Sequence, residues 1–249
     1  MRKICLLVTL ITTFLVSAMA QAKYFKEPFK GGVYIVDGDV PVEDIEDLAK
    51  ILTPSHDSRR LIVNLLFGNI LDLWNDKRSN DLSYCISDEF GENKADIESA
   101  MEVATKDWME YANIKFIHLK DQDIRCDQEN EMVVFDIRPV NLGAYLARAF
   151  FPSTQRISRN ILVDDSSFKY TQTTLEGILR HELGHALGFR HEHIHGDSSG
   201  RCRENDKFRP LTNYDKLSVM HYPHCDGEGD ILDLKLSESD KIGASLAYP

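Results

Sequence analysis

The chain has 249 residues, 43% of them apolar and 28% charged, with a formal net charge of −11. That composition supports one sizeable packed domain with a smaller accessory segment and excludes wholesale disorder. The acidic balance argues against nucleic acid or an anionic membrane as partner, and no feature specifies an oligomer.

The N-terminus, "MRKICLLVTLITTFLVSAMAQA", begins with Arg2 and Lys3, continues through an apolar run from Ile4 to Val16 and ends in small residues around Ala18 and Ala20. This is the pattern of a secretory signal cleaved near Ala20, with an apolar run too short to span a bilayer. Residues 1–20 are therefore expected to be a leader, followed by an N-terminal pro-like segment, 21–78, and the main domain, 79–249. The mature chain is expected outside the cytoplasm, secreted or periplasmic, without a membrane anchor. Four cysteines follow the leader, Cys85, Cys126, Cys202 and Cys225. They form no C-x-x-C, so a disulfide framework is expected rather than a thiolate metal site. Of the three possible pairings, Cys85–Cys126 with Cys202–Cys225 closes loops of moderate length.

Residues 23–39 carry a β-rich core at Val33 to Val36 between glycines. "VPVEDIEDLAKIL", from Val40, predicts a short amphipathic helix with Ile45, Leu48, Ile51 and Leu52 on one stripe. "TPSHDSRR" is a loop, and "RLIVNLLFGNILDLW" reads as strand interrupted at Gly68. Then come a strand at "LSYCIS", a long helix at "NKADIESAMEVATKDWMEYA", and strands at "IKFIHL", "MVVFDIRP", "AYLARAFFP" and "NILVDD". "TLEGILRHELGHALG" predicts a second long helix, stopped by Gly188. A loop-rich stretch leads to Ser237, where "SESD" resembles a capping box opening a last helix to Tyr248. The order predicts an α+β fold.

The chemistry concentrates in "HELGHALGFRH", residues 181–191. On a helix, His181 and His185 share one face, so both imidazoles can bind one ion. Glycine tolerates positive φ, so a turn at Gly188 ends the helix and returns the chain, bringing His191 to the same point. Three neutral imidazoles with an open fourth position make a catalytic zinc site. Glu182, beside the first ligand, is placed to hold a water. His193 and His195 fit no ligand spacing and are read as loop residues.

"HELGHALGFRH" resembles the zinc signature of the metzincin metallopeptidases, and "SVMHY", Ser218 to Tyr222, resembles their methionine turn. The resemblance implies a metzincin-like fold: a mixed twisted sheet with two long helices, one bearing the signature, over a small irregular C-terminal part with that turn and a final helix. It implies one catalytic zinc ion on His181, His185 and His191, Glu182 as general base, and Met220 as the apolar floor beneath the ligands. "SVMHY" is most similar to the astacin branch, whose tyrosine binds zinc at rest and supports the reaction intermediate. Tyr222 holds that position, although a packed aromatic accounts for it equally. "GAYLARAFFP" instead resembles the matrixin edge strand that pairs with extended peptide, which points to Leu146, Ala147 and Ala149 as substrate-binding positions. Arg148 stands where matrixins place a histidine for a structural zinc, so no second metal is expected.

The reading that follows is an exported zinc endopeptidase acting on extended peptide or protein substrates. A non-catalytic zinc-containing binding or adhesion module is the alternative, against which the presence of Glu182 argues. "VDGDV" resembles the short element by which an aspartate keeps astacin zymogens latent, making Asp39 a candidate switch; the same D-G pair is also a hairpin signal. No cysteine between the leader and Cys85 is available for a thiol-based switch. Arg59-Arg60 and Lys77-Arg78 are candidate activation sites.

Overall fold

The computed structural model describes residues 24–36, 38–45, 48, 62–194, 207–222, 225 and 234–249. The expected leader, Arg59-Arg60, Cys202 and His195 lie outside the described residues.

Three short strands open the described chain: β1 (Tyr24–Lys26), β2 (Tyr34–Val36) and β3 (Val40–Val42), an antiparallel sheet in that order. The helix expected from Val40 is thus corrected: residues 40–42 are strand, with Tyr34 opposite Val42 and Val36 opposite Val40. Valine's β-branch favours strand, and the chain turns through Gly38 at φ 109°. Ile45 and Leu48 do lie in helix, whereas Ile51 and Leu52 lie outside the described residues.

Strand β4 (Ile62–Asn64) follows, and the backbone folds back on itself at Gly68 through a Leu65–Leu71 bridge. After it come β5 (Leu82–Ile86), α1 (Lys94–Tyr111), β6 (Phe116–His118), β7 (Phe135–Val140), β8 (Ala147–Arg148) and β9 (Asn160–Asp164). The last stretch holds α2 (Leu175–Ala186), β10 (Phe189–Arg190), β11 (Phe208–Pro210) and α3 (Glu238–Ala247).

The main sheet has the order β6-β5-β7-β9-β8, parallel except for the antiparallel β8 at its edge. The fold is α+β, as expected. Its core lies between this sheet and the pair α1 and α2. Helix α1 buries Ile97, Ala100, Met101, Ala104 and Trp108, one stripe of helical period. The Trp108 ring stacks on Phe189 at 5.4 Å, and its Nε1 donates to the Arg180 carbonyl of α2 at 2.9 Å. Cys85 and Cys126 are bonded, as expected. Cys225 is also disulfide-bonded.

A third sheet, β10-β4-β11, places β4 between the strand that leads into His191 and β11. Ile62 and Val63 have no exposed surface. Residues 62–74, grouped with the pro-like segment on sequence, are woven into the frame of the signature.

The N-terminal sheet packs on the outer face of the main sheet. Val33 and Ile35 join Tyr145 and Leu162 in a separate apolar cluster, edged by Phe25 and Phe29. Ser158 Oγ donates to the Gly31 carbonyl at 2.8 Å. At the centre of this contact Glu27 and Arg148, both fully buried, form a paired salt bridge, Nε to Oε1 at 2.8 Å and Nη2 to Oε2 at 2.7 Å. Burial pushes the Glu27 carboxyl up, but the guanidinium overrides that and holds it below its ordinary value. Removing one partner of such a pair leaves a buried charge uncompensated, so Glu27→Leu is expected to cost about 3–5 kcal/mol. Denaturant titration followed at Trp74 and Trp108 measures it; a cost under about 1 kcal/mol would show that the pair does not hold the sheet.

Candidate metal centre

Thr174 caps α2, its side chain accepting from the Gly177 amide, and the helix ends at Leu187. Gly188 then adopts φ 97°, as the spacing predicts. A second reason for glycine comes only from the fold: a Cβ there would lie 2.2 Å from the Asp72 carbonyl oxygen.

The turn delivers His191 to the two helix histidines. His191 Nε2 lies 3.1 Å from His181 Nε2 and 3.2 Å from His185 Nε2. All three rings are buried. The opposite nitrogens are committed to the backbone, His181 Nδ1 to the Val219 carbonyl at 2.7 Å and His185 Nδ1 to the Phe189 carbonyl at 2.8 Å. Such contacts fix the tautomer and leave each Nε2 lone pair facing its neighbours. Burial, reinforced by neighbouring imidazoles, pushes His185 down to about 3, so its ring is neutral.

Asp39 closes the cluster. Its carboxylate oxygens lie 3.1 Å from His191 Nε2, 3.2 Å from His181 Nε2 and 3.8 Å from His185 Nε2. The four ligand atoms are all within 4.8 Å of one another. Tetrahedral zinc with bonds of about 2.0–2.1 Å sets its ligand atoms roughly 3.3–3.4 Å apart. Asp39 Oδ1 is buried and lacks a hydrogen-bond donor. Three imidazoles at close to that spacing with one orphaned carboxylate oxygen fit a divalent cation of the zinc type.

The turn between β2 and β3 carries Asp39 into the cluster. Tyr222 donates its hydroxyl to Asp39 Oδ2, and its ring stacks on His181 at 5.2 Å. Glu182 is buried, bonded to the backbone of Ala149 just after β8, with Oε2 free of hydrogen bonds. Burial raises its carboxyl well above the ordinary value, and the Asp39 charge adds to the rise.

Met220 is fully buried, and a Cβ on Gly184 would meet its Sδ at 2.3 Å. The glycine inside "HELGH" is what lets the methionine approach the helix, a requirement no spacing rule reveals. His193, expected in a loop, is buried and stacks on His191 with ring centroids 4.8 Å apart. Of the edge-strand positions, Ala147 and Ala149 turn their side chains into the main core and Leu146 packs against it. What they offer a peptide is backbone.

Sequence reasoning finds Asp240 as a helix cap but misses its bonds to the methionine turn. It completes the capping box of α3 with Ser237, and its carboxylate also takes Ser218 Oγ at 2.6 Å and the Val219 amide at 2.7 Å. Since the Val219 carbonyl orients His181, the final helix positions a ligand through the methionine turn. Asp240→Ala is expected to cost about 1.5–3 kcal/mol for the lost bonds to a charged acceptor and to weaken metal binding about tenfold. Thermal denaturation and chelator competition measure the two; unaltered metal affinity would break the connection.

The α+β fold, two imidazoles on an H-E-x-x-H helix met by a third from beyond its glycine turn, and a methionine packed against that helix define a metzincin-type metallopeptidase centre. The matrixin family model matches residues 73–208, and the chain belongs to that family of zinc metallopeptidases. It is 31% identical over 138 residues to matrix metalloproteinase-A of Caenorhabditis elegans, which covers 51% of this chain and 25% of that protein. It is also 31% identical over 109 residues to the dorsal-ventral patterning protein tolloid of Drosophila melanogaster, covering 29% of this chain and 10% of that one. The chain thus spans a quarter or less of the length of these relatives. Among solved structures it is similar to myroilysin, at 18% identity and TM-score 0.49, covering 72% of this chain and 96% of that one. It is also similar to high choriolytic enzyme 1, a hatching enzyme zinc-protease from the medaka fish Oryzias latipes, at 19% identity and TM-score 0.47, covering 70% and 94%.

Proposed function

We propose that this protein is an exported zinc endopeptidase, made in a latent form in which Asp39 occupies the position that water and substrate need. The observation that carries this is the convergence of His181, His185, His191 and Asp39 beside a buried, half-satisfied Glu182. The charged n-region, apolar run and small residues of 1–20, with disulfide-bonded Cys85 and Cys126, support export.

His181, His185 and His191 hold the ion. When bound, zinc lowers the pKa of a coordinated water toward neutrality and polarises the scissile carbonyl. With that ion bound, Glu182 would act through Oε2 as the base that takes a proton from the attacking water and returns it to the departing amine. The Ala149 backbone bond keeps Glu182 aimed while it does so. Tyr222, once Asp39 has left, has its hydroxyl free to donate to the oxyanion as it forms. Backbone groups of Leu146, Ala147 and Ala149 on the edge strand align an extended peptide by β-augmentation.

The test is zinc content of the purified chain together with cleavage of a mixed peptide library before and after loss of zinc to a chelator. One zinc per chain and chelator-sensitive cleavage are expected. Stoichiometric zinc with no cleavage, after processing or with Asp39 replaced, would instead make this a binding module. For latency, Asp39→Ala in the unprocessed chain is expected to raise cleavage about tenfold or more, since a buried carboxylate on the metal is a strong ligand. A wild-type rate in that variant removes Asp39 from the account.

A further inference from the structure

We propose that Arg148 and Tyr145 form a carboxylate-recognition subsite beside the catalytic centre, filled by Glu27 in the latent chain and by an acidic side chain of the substrate once that segment is displaced. The inference names a substrate class and rests on the peptidase reading.

Strand β8 is the outermost strand of the main sheet, with β9 on one side only. Ala147 and Ala149 face the main core, so Arg148 between them projects through the opposite face. A peptide paired along the open side of β8 places the residue opposite Arg148 on that same face. The residue directly after the strand touches the chemistry, because Ala149 is hydrogen-bonded to Glu182. The residue opposite Arg148 therefore lies close to the bond being cut.

The site is built for one carboxylate. Arg148 presents Nε and Nη2 as a fork to the two Glu27 oxygens, at 2.8 and 2.7 Å. Its Nη1 is tied to the Asn160 carbonyl at 3.1 Å and the Ala149 carbonyl at 3.4 Å, which sets the guanidinium plane. Tyr145 adds a hydroxyl donor to Oε1 at 2.7 Å. The remaining Glu27 contact, from the Val33 amide at 3.0 Å, leaves with the segment; the Arg148 fork that stays is donor only, so a carboxylate satisfies both its N–H groups and a neutral amide sets its own N–H against one of them.

Neighbouring acids are already committed. Asp136, the other carboxylate whose charge reaches Arg148, is bonded to Arg138 at 2.6 Å and Arg156 at 2.7 Å. Glu182 is held by Ala149 and faces the metal centre. With Glu27 gone, a buried guanidinium is left without a counter-ion, a costly state that an incoming acidic residue relieves. Glu27 and Asp39 belong to one docked sheet, so a single displacement opens both the metal position and this pocket.

The test uses the full chain carrying Glu27→Ala and Asp39→Ala, so that neither carboxylate of the segment competes. Propionate, which matches the deleted side chain, is expected to raise Tm in a concentration-dependent way; propionamide is not. Among cleaved members of a randomised peptide library, Glu or Asp is expected to exceed Gln or Asn about tenfold at one position. Adding Arg148→Gln should bring that ratio to about one and abolish the propionate effect. Cleavage without acidic enrichment overturns the subsite and leaves the peptidase reading standing. If nothing is cleaved, that reading fails, and the propionate measurement alone decides: no shift overturns the subsite.

Discussion

Glu182→Gln is expected to lower kcat/KM for peptide hydrolysis by about a hundredfold to ten-thousandfold, the range of general acid–base catalysis, with zinc still bound at one ion per chain. The side chain is buried, its Oε2 has no partner, and the three imidazoles lie outside its own bonds. Glutamine keeps the shape and the Ala149 contact but cannot take a proton. The amide also swaps an unpaired oxygen for an N–H, so stability is expected to change little. The measurement is steady-state cleavage of a library-derived peptide with metal analysis on the same preparation. Equal turnover in wild type and variant would sink the mechanism, since no other carboxylate among the described residues sits at the cluster except Asp39, which occupies the ligand position itself.

Gly188→Ala is expected to cost about 2–5 kcal/mol and to weaken zinc binding at least tenfold. Two effects add. A side chain at φ 97° carries about 1–2 kcal/mol of backbone strain. The new methyl also meets the Asp72 carbonyl at 2.2 Å and Leu73 Cδ2 at 3.2 Å, an overpacking worth about 1–3 kcal/mol. The first of these neighbours is backbone, held by the Asp72 amide bonded to the Asn64 carbonyl at 2.9 Å, so it cannot swing aside. The Gly188 carbonyl in turn accepts from the Asn64 amide at 2.9 Å. Relief must therefore come from shifting the turn, and His191 moves with it. Chemical denaturation gives the stability loss and competition with a zinc chelator the affinity. A variant as stable as wild type, binding zinc equally well, would mean that the bend does not place the third ligand.

The same residue shows how far the sequence can be read. That glycine ends the helix follows from its φ freedom and its place after an H-E-x-x-H run, both local. That Asp72 lies against it does not, because β4 and the residues after it reach this spot by pairing with β10 and β11 across more than a hundred residues of chain. For the same reason composition places β4 with the N-terminal segment 21–78, while its hydrogen bonds are to β10 and β11. The helix expected from Val40 holds at Ile45 and Leu48 but not at 40–42, where valines and the turn at Gly38 make a hairpin strand instead.

What the sequence determined by itself is the part encoded at short range: the leader pattern, the periodicity of α1 and α2, the capping box of α3 and a three-histidine metal signature closed by a glycine turn. These rest on spacings of a few residues, where helix geometry and φ preference leave little choice. The tertiary structure decided what touches what at long range: that Asp39 is carried to the histidines, that Glu27 meets Arg148, that Gly184 admits Met220, and that Asp240 steadies His181 through Val219. Each of these joins groups from distant parts of the chain, and their proximity is set by sheet order and core packing, which no local pattern specifies.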